Sequence, residues 1–238
     1  MSKYNPWPLG QLPKELQRPE LDQLKDKGYE FDDPREVITI FEDKVAKFAG
    51  SKYAVAVDCC SHGIFLSLTY LLWQNEIFYK DVITIPKHTY ISVPMQIHHV
   101  GCIPEYEDRE WYGVYHLKGT RVWDGAIRWT EGMYVGDNAL QVVSMQLKKR
   151  ICIGKGGMIL TDDHETYKAL KLMSYDGRDL TLPYDHPNHV QSLGYHMYMT
   201  PEDAGRGLMI MDALPKNNND SASWESYPDV EQIMGTIL

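Results

Sequence analysis

Between Asp33 and Tyr106 the apolar pattern of the chain switches repeatedly between helical and strand period, and this constrains the fold most. Asp33 with Pro34 can start a helix, and Val37, Ile40, Phe41, Val45 and Phe48 recur at helical spacing until Gly50 stops it. Tyr53 to Val57 reads as a short strand, Asp58 to Gly63 as a turn of small polar residues, and Ile64 to Trp73 as an apolar helix. The pattern then repeats. Asp81 to Ile85 is a strand, Pro86 to Thr89 a turn, Tyr90 to Val100 a helix and Cys102 to Tyr106 a further strand. Such alternation predicts an α/β fold with a mostly parallel sheet flanked by helices, in which ligands collect at the carboxyl ends of the strands. A turn running from strand into helix leaves free N–H groups at the helix start, which can hold a phosphate; Ser61 could equally be an ordinary N-cap.

The second half supplies the chemically suggestive stretches. Gly119 to Trp123 reads as a strand ending at Asp124, a carboxylate placed either to cap the next turn or to meet a ligand cation. Val143 to Asp162, VSMQLKKRICIGKGGMILTD, reads as a strand, a polar segment with two adjacent lysines, a glycine turn at Gly154, Gly156 and Gly157, and a second strand, Met158 to Leu160. A lysine held there can point its amine into a cleft and form a Schiff base with a carbonyl. The plainer reading is a basic hairpin edge. His164 to Ser174 forms a helix, Tyr175 to Val190 a loop, and Thr200 with Pro201 starts a helix over Glu202 to Leu214. After an Asn and Ser run, Pro228 to Leu238 could form a last amphipathic helix.

Composition removes several function classes. The 238 residues carry a formal charge of -9 with no basic run, which argues against a nucleic-acid groove. The N-terminus lacks the apolar core of a signal peptide, and no segment has the apolar length of a membrane span, so a soluble cytoplasmic protein is expected. Cys59, Cys60, Cys102 and Cys152 form neither a disulfide framework nor zinc spacing and are read as free thiols. His98 and His99 are adjacent and point to different helix faces, so no metal site is expected. Ile153 to Gly157 lacks the spacing and the Ser/Thr of a P-loop. The expected organisation is an N-terminal arm over residues 1–32, rich in proline and extended over Met1 to Glu30, an α/β domain over 33–214 and a tail over 215–238.

The order of these motifs, YAVAVDCCSHGIFLSL, DVITIPKHTYISVPMQIHHVGCIPEYED, RVWDGAIR and SMQLKKRICIGKGGMILTDD, resembles the DegT-type aminotransferases, pyridoxal-phosphate enzymes that act on keto sugars attached to nucleotides. The resemblance runs from about Asp33 to Leu214. It implies the large domain of the type I pyridoxal-phosphate transferase fold. The family shows a serine, an aromatic or apolar residue, His or Gln, two variable residues and then the Schiff-base lysine, followed by a glycine-rich turn. Matched here are Ser144, Met145, Gln146, Leu147, Lys148 and Lys149, which selects Lys149 as the catalytic lysine and places Gln146 at the cofactor. The resemblance further implies that Asp124 keeps the pyridine nitrogen protonated and that Tyr90 stacks on the ring. Ser61 and Ser144, with N–H groups following Cys60, would bind the phosphate.

Several positions depart from the family pattern. Lys155 stands where an acid is usual, Cys60 where Gly is often found, and His196 and Tyr198 where Asn and Arg are usual. The segment matching Gly194 to Met199 reaches the neighbour's cofactor in the family, so the resemblance implies a homodimer with shared sites in which His196 contacts the other subunit's phosphate. Relatives generally carry a further C-terminal domain, and this sequence ends at Leu238, which implies a short form whose large domain works alone, uses its arm and tail to close the cleft, or binds pyridoxal phosphate without turnover. The activity implied is amino transfer, from glutamate, to a nucleotide-linked keto sugar. The alternative is a pyridoxal-phosphate-binding regulatory or scaffolding protein without turnover.

Overall fold

The computed structural model of the chain describes residues 12–237; residues 1–11 of the expected arm and Leu238 of the tail lie outside the described residues. The helices are α1 (Glu20–Asp26), α2 (Glu36–Ala49), α3 (Cys60–Trp73), α4 (Ser92–His99), α5 (His164–Ser174), α6 (Pro201–Ala213) and α7 (Val230–Met234). The strands are β1 (Tyr53–Val57), β2 (Val82–Pro86), β3 (Ile103–Glu107), β4 (Tyr115–His116), β5 (Val122–Asp124), β6 (Leu140–Ser144) and β7 (Gly157–Thr161). Thus β1 and α5 match the sequence reading residue for residue. The helix expected over Tyr90 to Val100 starts later, at Ser92, and leaves Tyr90 in the preceding turn.

One sheet has the order β1-β7-β6-β5-β4, and β2 and β3 form a second pair. The backbones of Thr84 and Lys118 exchange two hydrogen bonds, 3.1 and 3.0 Å, and join β2 to the extension of β4. The expectation of a mostly parallel sheet is corrected, because only β5–β6 and β2–β3 pair in parallel. The reason lies in two reversed strands. β7 folds back through the glycine turn and lies antiparallel to both β6 and β1, and β4 is a two-residue hairpin arm antiparallel to β5. The strands β1, β2, β3, β5 and β6 nevertheless all point one way, so their carboxyl ends gather at one edge of the sheet.

Alternate strand residues feed two cores, as period 2 requires. Val55, Val57, Val142 and Ile159 pack with α3, α4 and α5 on one face; Ala54, Ala56, Val143, Met158 and Leu160 pack with α1, α2 and α6 on the other. On the second face Phe41 of α2 is fully buried, a burial worth about 1.5–3 kcal/mol. Beneath it Glu42, also buried, accepts from the Ala56 N–H at 2.7 Å and from Lys171 Nζ at 2.8 and 2.9 Å, tying α2 to β1 and α5.

Three further readings change. The stretch expected to be extended up to Glu30 contains α1, whose Leu24 is fully buried and whose Glu20 accepts from Arg206 of α6 at 2.8 Å. α3 starts at Cys60, and its cap is Cys59, whose Sγ accepts from the His62 N–H at 3.4 Å, so Ser61 lies inside the first turn. The amphipathic helix expected at the end shortens to the five residues of α7, with Val230 and Met234 buried.

Candidate active site

The carboxyl ends of β1, β5 and β6 and the turn after β2 surround a cavity of about 670 Å³. Its position follows from close packing at Gly157. A Cβ there would lie 2.7 Å from the Cys60 nitrogen and 2.8 Å from the Cys59 carbonyl carbon, so only glycine lets β7 meet the start of α3. That contact sets the first turn of α3 beside the lysine turn. Seven of the eight residues singled out in the sequence, Lys149, Asp124, Tyr90, Cys60, Ser61, Ser144 and Gln146, line this one cavity.

Asp124 is the cavity's buried carboxylate, 4 % exposed. It ends β5, and its oxygens accept from the Ala126 N–H and from the Tyr115 hydroxyl, each at 2.8 Å. The Tyr115 hydroxyl also pairs with Thr89 Oγ1 at 2.5 Å, and all three side chains are buried. Burial raises the Asp124 pKa against the opposing pull of these donors and of Lys149. Among the described residues no cation forms an ion pair with it.

Lys149 follows the turn after β6, where the Lys149 N–H donates to the Gln146 carbonyl at 2.8 Å and Gln146 Oε1 accepts from the Lys148 N–H at 2.9 Å. Burial lowers the Lys149 pKa, while Asp124 opposes the shift and Lys148 adds to it. A lowered ammonium pKa enlarges the neutral fraction, which is the nucleophile. β6 and β7 are a hairpin, but they lie between β5 and β1 inside the sheet, so the expected hairpin edge is corrected, and Lys149 lines the cavity.

At the start of α3 the N–H groups of Cys60 and Ser61 have no acceptor within their own helix, as in the first turn of any helix. Ser61 Oγ and Ser92 Oγ lie 2.7 Å apart, and burial pushes the Cys60 thiol well up. At the cavity shoulder His62 Nδ1 is 2.6 Å from Asp58 Oδ1, while Lys155 Nζ is 3.0 Å from Asp58 Oδ2. The Asp58 carboxylate and its Cys59 neighbour raise the His62 pKa to about 10. Asp58, Cys59 and His62 offer ligand atoms within 4.8 Å of one another, a set already engaged by the Lys155 ammonium.

His196, the eighth residue, does not line the cavity. It is exposed, 2.7 Å from Asp176 Oδ2, and bridges to Tyr175. Tyr115, Thr89 and Ser92 escaped the sequence reading: Tyr115 sits in a strand too short to show a period, whereas Thr89 and Ser92 flank Tyr90 in a stretch already singled out. The tail also contributes Ser221, Ser226 and Tyr227 to the cavity wall. No described helix is long and apolar enough to cross a membrane.

The sequence profile of the DegT/DnrJ/EryC1/StrS aminotransferase family matches residues 20–111 and 127–228. Among solved structures, the sugar aminotransferase CalS13 from Micromonospora echinospora shares 15% identity at a TM-score of 0.63, covering 81% of this chain and 64% of its own. The E coli GDP-4-keto-6-deoxy-D-mannose-3-dehydratase, solved with bound hydrated PLP, shares 16% at 0.62, covering 82% and 64%. NtdA from Bacillus subtilis, solved with bound cofactor PMP, shares 17% at 0.61, covering 81% and 51%. These likenesses show the fold, that of the type I pyridoxal-phosphate enzymes, and the chain spans less than two thirds of the length of each of these three structures. No curated protein matches the sequence.

Proposed function

The chain belongs to the DegT/DnrJ/EryC1/StrS aminotransferase family, and from that membership we propose that its cavity holds pyridoxal 5'-phosphate and moves an amino group, from glutamate, onto a keto sugar carried on a nucleotide. The observation that carries this reading is the presence in one cavity of Lys149, with its lowered pKa, and Asp124, buried with no ion-pair partner among the described residues. A buried carboxylate held only by neutral donors is poised for a proton-bearing ring nitrogen. The donor set fits the cofactor: a carboxylate for the nitrogen, an amine for the carbonyl, and serine hydroxyls with helix-start N–H groups for the phosphate. When bound, pyridoxal phosphate supplies the electron sink for the carbon that loses its proton.

The residues divide the work. Asp124 would hold a protonated ring nitrogen, and Tyr115 with Thr89 fixes the carboxylate's orientation. Lys149 would offer its Nζ to the cofactor's carbonyl group and, as an amine of lowered pKa, would take and return a proton at the reacting carbon. Ser61, Ser144 and the N–H groups of Cys60 and Ser61 would hold the phosphate, Tyr90 would pack on the ring, and Gln146 holds the lysine turn closed. Excess glutamate added to cofactor-loaded protein tests the activity. The absorbance of the loaded form should convert to that of the amine form; no conversion with any common amino donor supports the binding protein without turnover.

The working unit in this reading is a homodimer whose His196 reaches the partner's phosphate. Its support is the exposure of His196, together with exposed Tyr184, Val190 and Leu193 in the preceding loop. Mixed Lys149→Ala and His196→Ala chains should regain activity through one intact site. Mixtures that stay inactive, or an active monomer, contradict the shared site.

A further inference from the structure

After α6 the chain does not leave the domain but runs back along the cavity, and its fastenings fall at informative places. Asp220 accepts from Arg128 Nε and Nη2, each at 3.0 Å, and the Ser221 N–H donates to the Ile127 carbonyl at 2.9 Å, a few residues beyond Asp124. The Asn219 carbonyl accepts from Arg150 Nε at 2.9 Å, one residue beyond Lys149. At the far end the Tyr227 carbonyl lies 3.0 Å from His88 Nδ1, and the Val230 N–H donates to the Lys87 carbonyl at 2.8 Å, just before Tyr90. Each segment carrying Asp124, Lys149 or Tyr90 thus holds the tail within four residues of that residue.

Between its fastenings the tail presents Tyr227 to the cavity. The ring stands 5.7 Å from Trp111 between centroids, and Trp111 Nε1 donates to the His88 carbonyl at 2.8 Å, so the ring is backed by a fixed aromatic. Burial, together with the charge of Asp124, holds the Tyr227 phenol well above its usual value, consistent with a hydroxyl facing the same interior as the carboxylate. Trp224 packs on His88 at 5.5 Å and closes the turn before it.

We propose that residues 219–230 are a strap forming a working wall of the cavity, that Tyr227 contacts the bound ligand, and that seating of the strap sets how tightly a pyridine-phosphate ligand is held. This rests on reading the cavity as a pyridoxal-phosphate site. A ligand that touches Tyr227 is linked to every fastening of the strap, so ligand binding and strap seating favour each other reciprocally.

Pyridoxamine 5'-phosphate is the probe, and chymotryptic cleavage after Trp224, read by mass, reports whether the strap is seated. In the wild-type protein saturating probe should slow that cleavage at least about fivefold, as expected when binding suppresses local opening. Asp220→Asn should cleave faster without probe and bind it about tenfold more weakly, and Tyr227→Phe, isosteric apart from the hydroxyl, should weaken binding by a similar factor while leaving unliganded cleavage unchanged. Wild-type affinity in both variants, or cleavage indifferent to the probe in wild-type protein that binds it, overturns the strap. If wild-type protein binds neither pyridoxamine nor pyridoxal phosphate, the cofactor reading falls and the strap's ligand role with it.

Discussion

Two carboxylates in this protein are almost equally buried, Glu42 at 2 % exposure and Asp124 at 4 %, and burial raises the pKa of each. Their surroundings differ. Glu42 is matched by the Lys171 ammonium at 2.8 Å and the Ala56 N–H at 2.7 Å, so its charge is answered inside the fold and serves to join α2, α5 and β1. Asp124 is oriented by Tyr115 and Ala126 and has no ion-pair partner among the described residues, in a cavity that an amine also lines. A buried charge closed by its own partner is structural; one oriented by neutral donors and left open toward a cavity keeps its Coulombic capacity for a ligand.

The largest expected effect separates the two sites. Asp124→Asn should lower the rate of amino transfer on the order of 10²–10³-fold, the scale of losing a key electrostatic group, with thermal stability held or increased. Glu42→Gln should do the reverse. It leaves Lys171 without its partner, and breaking a buried pair costs about 3–5 kcal/mol, toward the low end here because Lys171 retains some solvent access; activity per folded molecule should persist. Melting curves and single-turnover rates on both variants check the contrast, and a rate loss shared equally by both would erase it.

A smaller effect sharpens it. Tyr115→Phe removes a hydrogen bond to a charged group, worth about 1.5–3 kcal/mol, so the rate should fall roughly ten- to hundredfold. The Tyr115 bond lowers the Asp124 pKa, so losing it should raise that pKa and move the acid limb of the pH–rate profile to higher pH. A purely structural tyrosine would leave that limb in place.

The two regions were unequally legible. The α2, β1 and α5 framework followed from the apolar pattern, because α2 and α5 each bury one face and β1 is a short apolar run buried on both. Asp124 and Ser61 are legible because they sit at a strand end and a helix start, where sequence pattern and chemistry coincide, whereas Lys149 is told from Lys148 only by the family resemblance. Strand pairing is not legible: the alternation of strand and helix implies a parallel sheet, while the insertion of β7 between β1 and β6 is a long-range choice that no local period encodes. Tyr115 lies in a two-residue strand amid polar loop, too short for alternation to show. The tail's Asn and Ser run has no period either, and its course is fixed by partners distant in sequence, Asp220 with Arg128 and Asn219 with Arg150.

The smallest expected effect concerns the cavity shoulder, whose charges are closed in the manner of Glu42. The Asp58 carboxylate raises the His62 pKa from 6.5 to about 10, so the stability from this pair is fully present below about pH 6.5 and is lost as pH rises through about 10. The difference in Tm between wild type and His62→Gln should therefore shrink as pH rises across that interval. A difference that stays constant or grows would show that the pair contributes nothing through its charge.

Reductive trapping tests the central claim, that an open buried carboxylate and a lysine whose pKa burial lowers make one cofactor site. Protein saturated with pyridoxal 5'-phosphate and treated with borohydride should carry the label on Lys149, and peptide mapping should find Lys148 and Lys155 unmodified although both line the same cavity. Label on Lys148 or Lys155, or none on saturated protein, would contradict the account.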